Sequence, residues 1–219
     1  MILRPMTESD PPASGQTSAG PPAKGAADPG PVWSEGLAGK LLIAMPGIGD
    51  PRFERAVILM CVHSADQAMG VTVNRPLDGV TLRGVMGKLG VPGAEAAPDQ
   101  AVLSGGPVER ERGFVLHTDD YETVDSTLPI TPGVSMTATR EVLDALTDAG
   151  RRPYRARLVL GCASWAPGQL EDELAQNVWL TAEAEPGIIF DDAHDTKWGR
   201  ALGRLGISAD RLSAAAGHA

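Results

Sequence analysis

Apolar residues fall along this chain in short blocks cut by Gly and Pro, and the blocks are mostly strand-length. Leu41 to Met45 forms one block, stopped by Pro46-Gly47. Ala56 to Val62 is apolar without a break, the pattern of a strand buried on both faces. Gly70 to Asn74 reads as a third strand, ended by Arg75-Pro76. Residues 101–104 and 113–117 read as two more, around a turn-rich insert. The stretch 121–137 is extended, 154–161 is a strand, and 178–182 and 188–190 read as two further strands.

Helical spacing is rarer. Leu82, Val85, Met86 and Leu89 fit a short helix despite its glycines. Thr139 to Ala149 places Val142, Leu143 and Leu146 on one face, with Gly150 as its stop. Gln169 to Gln176 turns Leu170 and Leu174 inward. Thr196 to Leu205 does the same with Trp198, Leu202 and Leu205, and Asp210 to Ala216 is read as a last helical turn. Strands come in adjacent runs without strand–helix alternation. That predicts an α+β domain: a curled or barrel-like, largely antiparallel sheet with helices packed outside.

Residues 1–35 are rich in Pro, Gly, Ala and Ser and lack periodic apolar positions, so a disordered tail is expected there. Residues 36–219 are read as a single domain, long enough to bury a core without disulfides.

Composition narrows the function. The formal net charge of -9 and the 4% aromatic content oppose a nucleic-acid surface, which is basic and offers rings for stacking. No specific nucleic-acid partner is expected. No apolar run approaches the length of a membrane span, and no signal-peptide pattern opens the chain. Cys61 and Cys162 sit singly in apolar runs, as free core thiols do. The chain is therefore read as cytoplasmic, with no membrane partner.

Several phrases, taken in order, resemble the YqgE/AlgH family of bacterial proteins. They are Gly39 to Pro46, Asp50-Pro51-Arg52-Phe53 before the buried strand and His63 after it, and Val73-Asn74-Arg75-Pro76. Gly105-Gly106-Pro107-Val108, Gly168 to Glu171, Glu173-Leu174 and Asn177 to Leu180 follow. Trp198, Ala201-Leu202 and Leu205 to Ile207 complete the match. The resemblance implies a compact α+β fold round a barrel-like sheet and no established biochemical activity. Some members carry a transcriptional-regulator label without a DNA-binding motif. One departure stands out: where the family reads Gly-Tyr-Ala-Gly-Trp, this chain has Gly161-Cys162-Ala163-Ser164-Trp165.

The candidate binding residues are Asp50, Arg52, His63, Asn74, Arg75, Trp165, Gln169 and Glu173. Trp165 sits where a strand meets a helix opening near Gln169, and loops on a rigid scaffold tend to carry function. A capped structural helix is the plainer reading. Arg75, held by the following Pro at a strand end, is placed to pair with a carboxylate or phosphate, or simply with Asp50. Cys162-Ala163-Ser164-Trp165 superficially suggests a papain-type nucleophile, but aligned on the Trp it has Ser164 in place of the nucleophilic Cys, and no G-x-S-x-G elbow is present. Asp191-Asp192-Ala193-His194-Asp195 lacks both the EF-hand pattern and the paired His of a zincin, and Asp195 is read as the N-cap of the Trp198 helix. Gly105-Gly106-Pro107 is a turn and not a phosphate loop. No catalytic residue, metal or cofactor is assigned. These observations favour a binding or regulatory protein with a small-molecule or protein partner. The alternative is a hydrolase using His63 with Ser164 or Cys162.

Overall fold

In the computed structural model, which describes residues 36–209 and 212, the run expected to be buried on both faces is strand β2 (Val57–His63). Its first five residues are buried, and they alternate between two separate cores. Val57 and Leu59 face one core, Ile58 and Met60 the other. Continuous apolar character is what such a position demands, because each fully buried side chain of this size contributes roughly 1.5–3 kcal/mol.

Around β2 the sheet runs in the order β10-β1-β2-β3-β9-β6-β8-β7. The strands are β1 (Lys40–Ala44), β3 (Ala68–Thr72), β6 (Val108–His117), β7 (Thr127–Thr131), β8 (Val134–Thr137), β9 (Ala156–Trp165) and β10 (Trp179–Glu183). Two more, β4 (Pro76–Thr81) and β5 (Ala101–Ser104), join along one side of β9. All pairings are antiparallel except β5 with β9. The sheet curls into an open half-barrel, and its far edge returns towards its start. A Cβ placed on Gly39, before β1, would lie 2.9 Å from the Ile130 carbonyl oxygen of β7. The architecture is the curled α+β sheet expected from sequence.

Five α-helices cover it among the described residues: α1 (Leu82–Lys88), α2 (Arg140–Leu146), α3 (Gln169–Ala175), α4 (Pro186–Phe190) and α5 (Lys197–Arg204). Ile188, Ile189 and Phe190 of α4 and Trp198, Ala201 and Leu202 of α5 fill one core with β1, β2, β3 and β6. Helices α1 and α2 cover β5, β6 and β9 with Leu82, Met86, Val142 and Leu146. Helix α3 sets Leu170 against β1, β2 and the end of β9. Among the described residues no helix is long and apolar enough to cross a membrane.

Four expectations are corrected. Residues 188–190 form helix α4 and not a strand, because Pro186 at the first helical position presets the turn. A three-residue apolar run has no period to distinguish the two. Asp195 does not cap α5: it lies inside a short 3-10 turn, His194–Thr196, and Thr196 precedes the helix. Helix α2 ends at Leu146, with Thr147 bonded back to Asp144, so Gly150 is not its stop. Pro76 begins strand β4 instead of only ending β3, as Pro is permitted to do at the first residue of a strand. The tail expected over 1–35 and the turn expected over 210–216, Leu212 apart, fall outside the described residues.

Candidate functional site

Strand β9 runs ten residues to Trp165, past the boundary expected near residue 161. Its middle is held by glycines. A Cβ on Gly106 would fall 2.3 Å from the Cys162 carbonyl carbon, and one on Gly105 would fall 2.2 Å from the Gly161 carbonyl oxygen. Only glycine permits two backbones to meet this closely. The contact fixes Pro107 beside β9 and makes it a wall between two adjoining clefts.

The first cleft, about 460 Å³, is bounded by Ile48, Phe53, Pro107, Val108, Trp165 and Trp179. Phe53 and Trp179 meet edge to face at 5.7 Å, and Trp165 and Trp179 at 6.1 Å. Both indoles are buried, and their N–H groups need acceptors. One oxygen of Glu173 supplies both, at 2.9 Å from Trp165 Nε1 and 2.7 Å from Trp179 Nε1. The other oxygen accepts from Gln169 Nε2 at 2.8 Å, while Gln169 Oε1 accepts from the Ala166 N–H at 3.1 Å. Gln169, exposed by sequence pattern, is thus a clasp in the first turn of α3. Trp165, Gln169 and Glu173 are brought together by these bonds; Trp179 and Phe53, not anticipated as site residues, complete the wall.

Asp50 and Arg52 join this cleft as a pair. Asp50 accepts from the Arg52 backbone N–H at 2.9 Å, and Arg52 Nη2 donates at 2.6 Å. The Arg52 guanidinium holds the Asp50 carboxyl below its ordinary range. Arg75 lines the second cleft, described below. Asn74 lines neither: it bridges the backbone, accepting from Val57 N–H and donating to the Arg55 carbonyl, both at 2.9 Å. Its role is to fix the entry to β2.

His63 stands apart from both clefts. Nε2 donates to Glu171 Oε1 at 2.9 Å, and Nδ1 accepts from the Leu37 N–H at 3.3 Å. The Glu171 carboxyl is held below its ordinary value, first by its own backbone N–H and then by His63. With both ring nitrogens engaged, His63 is bonded to neither Ser164 nor Cys162. Burial pushes the Cys61 thiol up to about 12, with Cys162 adding to the effect. Cys162 is raised as well, by burial and then by Glu109. Neither sulfur is the thiolate that nucleophilic catalysis requires.

Asp191 and Asp192 of the acidic run at 191–195 are tied into ion pairs. Asp192 Oδ1 accepts from Arg157 Nη2 at 2.6 Å; Asp191 pairs with Arg200 and lies 3.7 Å from Lys197 Nζ. Lys197 is fully buried and donates to the carbonyls of Val73 and Ile189 at 2.9 and 3.0 Å. Neither Lys197 nor Arg157 carries a sequence signal that distinguishes it from a surface charge.

A family model described as AlgH-like (DUF179) matches residues 41–210. The chain belongs to the AlgH-like family. A UPF0301 protein of Caulobacter vibrioides is 57% identical over 185 residues, covering 84% of this chain and 95% of that one. Another, from Ruegeria pomeroyi, is 52% identical over 84% of this chain and 99% of its own length. Among solved structures, the AlgH protein of Pseudomonas aeruginosa superposes with a TM-score of 0.65 at 37% identity, covering 89% of this chain and all of that one. A Corynebacterium diphtheriae protein shares the fold at a TM-score of 0.62 and 24% identity, over 78% and 88% of the two chains. The AlgH-like assignment agrees with the resemblance drawn from the ordered phrases between Gly39 and Ile207.

Proposed function

We propose that this AlgH-like protein is a non-catalytic cytoplasmic binding protein whose ligand is a small molecule seated in the aromatic cleft. The observation that carries this reading is the cleft wall itself. Phe53, Trp165 and Trp179 come from three separate segments, and Glu173 locks the two indoles in place, so the apolar surface is formed before any ligand arrives. Pre-formed, mostly apolar concavities of a few hundred Å³ are the usual form of small-molecule sites. The protonated thiols and the engagement of His63 argue for binding without chemistry. Free buried cysteines suit a reducing compartment, and the net charge of -9 argues against a nucleic-acid partner.

A thermal-shift screen against a metabolite library tests the reading, because a ligand that prefers the native state raises the unfolding midpoint. Val108 is an exposed side chain on the cleft wall, so Val108→Trp fills the cleft without disturbing the core. At least one compound should raise the wild-type midpoint, and the rise should vanish in Val108→Trp. A library without a hit, or a hit unaffected by Val108→Trp, rejects the cleft as the site.

A further inference from the structure

On the other side of Pro107 lies the second cleft, about 360 Å³, lined by Arg52, Arg75 and Arg110 with Thr72 and Ser104. Three arginines and no acidic residue line this cleft, in a chain whose net charge is -9. The three arrive by different routes. Arg52 comes from the 3-10 turn after Asp50, and Arg75 from the short link between β3 and β4. Arg110 comes from the bulge of β6, where pairing with β9 shifts between Val108 and Gly113 and Glu109 takes a φ of +48°. Bulges re-aim side chains, and they recur beside functional sites.

Their hydrogen-bonding capacity is only partly used. Asp50 takes Nε and Nη2 of Arg52, leaving Nη1 without a partner among the described residues. Arg75 Nη2 donates to the Glu54 carbonyl, which anchors the side chain, while its buried Nε has no acceptor. Arg110 makes no side-chain hydrogen bond or ion pair among the described residues. Like charges brought together in this way repel one another, and a buried donor without an acceptor is costly. An oxyanion relieves both, and Arg favours phosphate because its planar fork meets two oxygens at once.

We propose that this cleft binds a phosphate-class oxyanion. The aromatic cleft, sharing Arg52 and Pro107 with it, receives the apolar or aromatic body of the same organic phosphate. No phosphate-loop motif is involved; the donors are side chains on a 3-10 turn, an inter-strand link and a bulge. The placement of the body rests on the reading of the aromatic cleft, whereas the oxyanion site is tested independently of it.

The test is calorimetric titration in phosphate-free buffer with four probes: inorganic phosphate, 1-naphthyl phosphate, 1-naphthol and 1-naphthoate. Wild-type protein should bind inorganic phosphate saturably and 1-naphthyl phosphate more tightly. Arg110 is exposed, so Arg110→Ala keeps the fold, which an unchanged thermal midpoint verifies. It should weaken both phosphates about tenfold, the scale of one charge-assisted hydrogen bond, and leave 1-naphthol unaffected. Val108→Trp should weaken 1-naphthol and 1-naphthyl phosphate but not inorganic phosphate. Absent saturable phosphate binding, or phosphate affinity unchanged in Arg110→Ala, overturns the oxyanion site even if 1-naphthol binds. Phosphate binding without any 1-naphthol binding sustains the oxyanion site and rejects the aromatic cleft. If 1-naphthoate binds as tightly as 1-naphthyl phosphate and loses as much in Arg110→Ala, the phosphate class is wrong.

Discussion

Trp165, at the end of β9, and Trp179, at the start of β10, stand edge to face and donate their indole N–H groups to the same oxygen of Glu173. Neither ring is free to turn without breaking a hydrogen bond that no other described residue replaces. The pair is therefore a rigid wall whose rigidity depends on one half-buried carboxylate.

Removing that carboxylate should be costly. Glu173→Ala leaves two indole donors unpaired and is expected to lower stability by roughly 2–4 kcal/mol. Glu173→Gln should cost less, because its amide oxygen still accepts from both indoles, although its NH2 then meets the Gln169 NH2. Urea denaturation followed by tryptophan fluorescence measures both. A Glu173→Ala protein as stable as wild type would show that water replaces the carboxylate.

Two glycine substitutions should change stability in opposite directions. Gly106→Ala drives a methyl to within 2.3 Å of the Cys162 backbone, which has no side-chain freedom with which to yield. A loss of at least about 3 kcal/mol is expected, or failure to fold. Gly203 lies on the exposed side of helix α5 with nothing within 4 Å of an added Cβ, so Gly203→Ala should stabilise by about 0.5–1 kcal/mol. Thermal midpoints of the two variants should fall on either side of wild type.

Both thiols should be inert in the native protein. With Cys61 pushed up to about 12 and Cys162 raised too, iodoacetamide at pH 8 should modify neither before unfolding and both after it. Mass spectrometry of native and denatured samples counts the adducts. Rapid native labelling of Cys162 would revive the hydrolase alternative.

Lys197 predicts a pH dependence. Burial lowers it from 10.5 to about 8, with Asp191 opposing and Arg157 reinforcing the shift. Between those pH values the unfolded chain keeps a proton that the folded chain has released, so stability rises with pH. The increment is roughly 3 kcal/mol at most, and it is absent from Lys197→Met. The wild-type-minus-variant difference in urea stability should therefore climb in favour of wild type from pH 7.5 to 10. A flat difference would show that Lys197 keeps its ordinary affinity for protons.

What the sequence shows and hides follows from range. The two-sided burial of β2 is legible in its unbroken apolar run, and α3 and α5 are legible in their spacing, because both signals are local. Trp165, Gln169 and Glu173 follow one another at intervals of four residues, so their cluster is visible as well. Trp179 is only six residues from Glu173, but no local pattern shows that the turn after α3 and the pairing of β10 with β1 bring its indole back to that carboxylate. Arg110 looks like one charge in an exposed Glu-Arg-Glu-Arg run until the bulge of β6 aims it beside Arg75. Helix α4 is misread for the opposite reason: three apolar residues are too few to show a period, and the core that fixes them comes from elsewhere.

Strand β9 has a consequence for how the chain is made. It pairs with β3, β5 and β6, all of which precede it in the chain. As the protein leaves the ribosome, those strands emerge with backbone donors and acceptors that only residues 156–165 can satisfy. Open strand edges are templates for pairing with other chains, and long-range pairing is slow. A nascent chain stalled before Ala156 thus exposes several edges at once, and synthesis of the next ten residues closes them together. The hazard of misassembly is concentrated in that interval of translation, before β10 adds its pairing to β1.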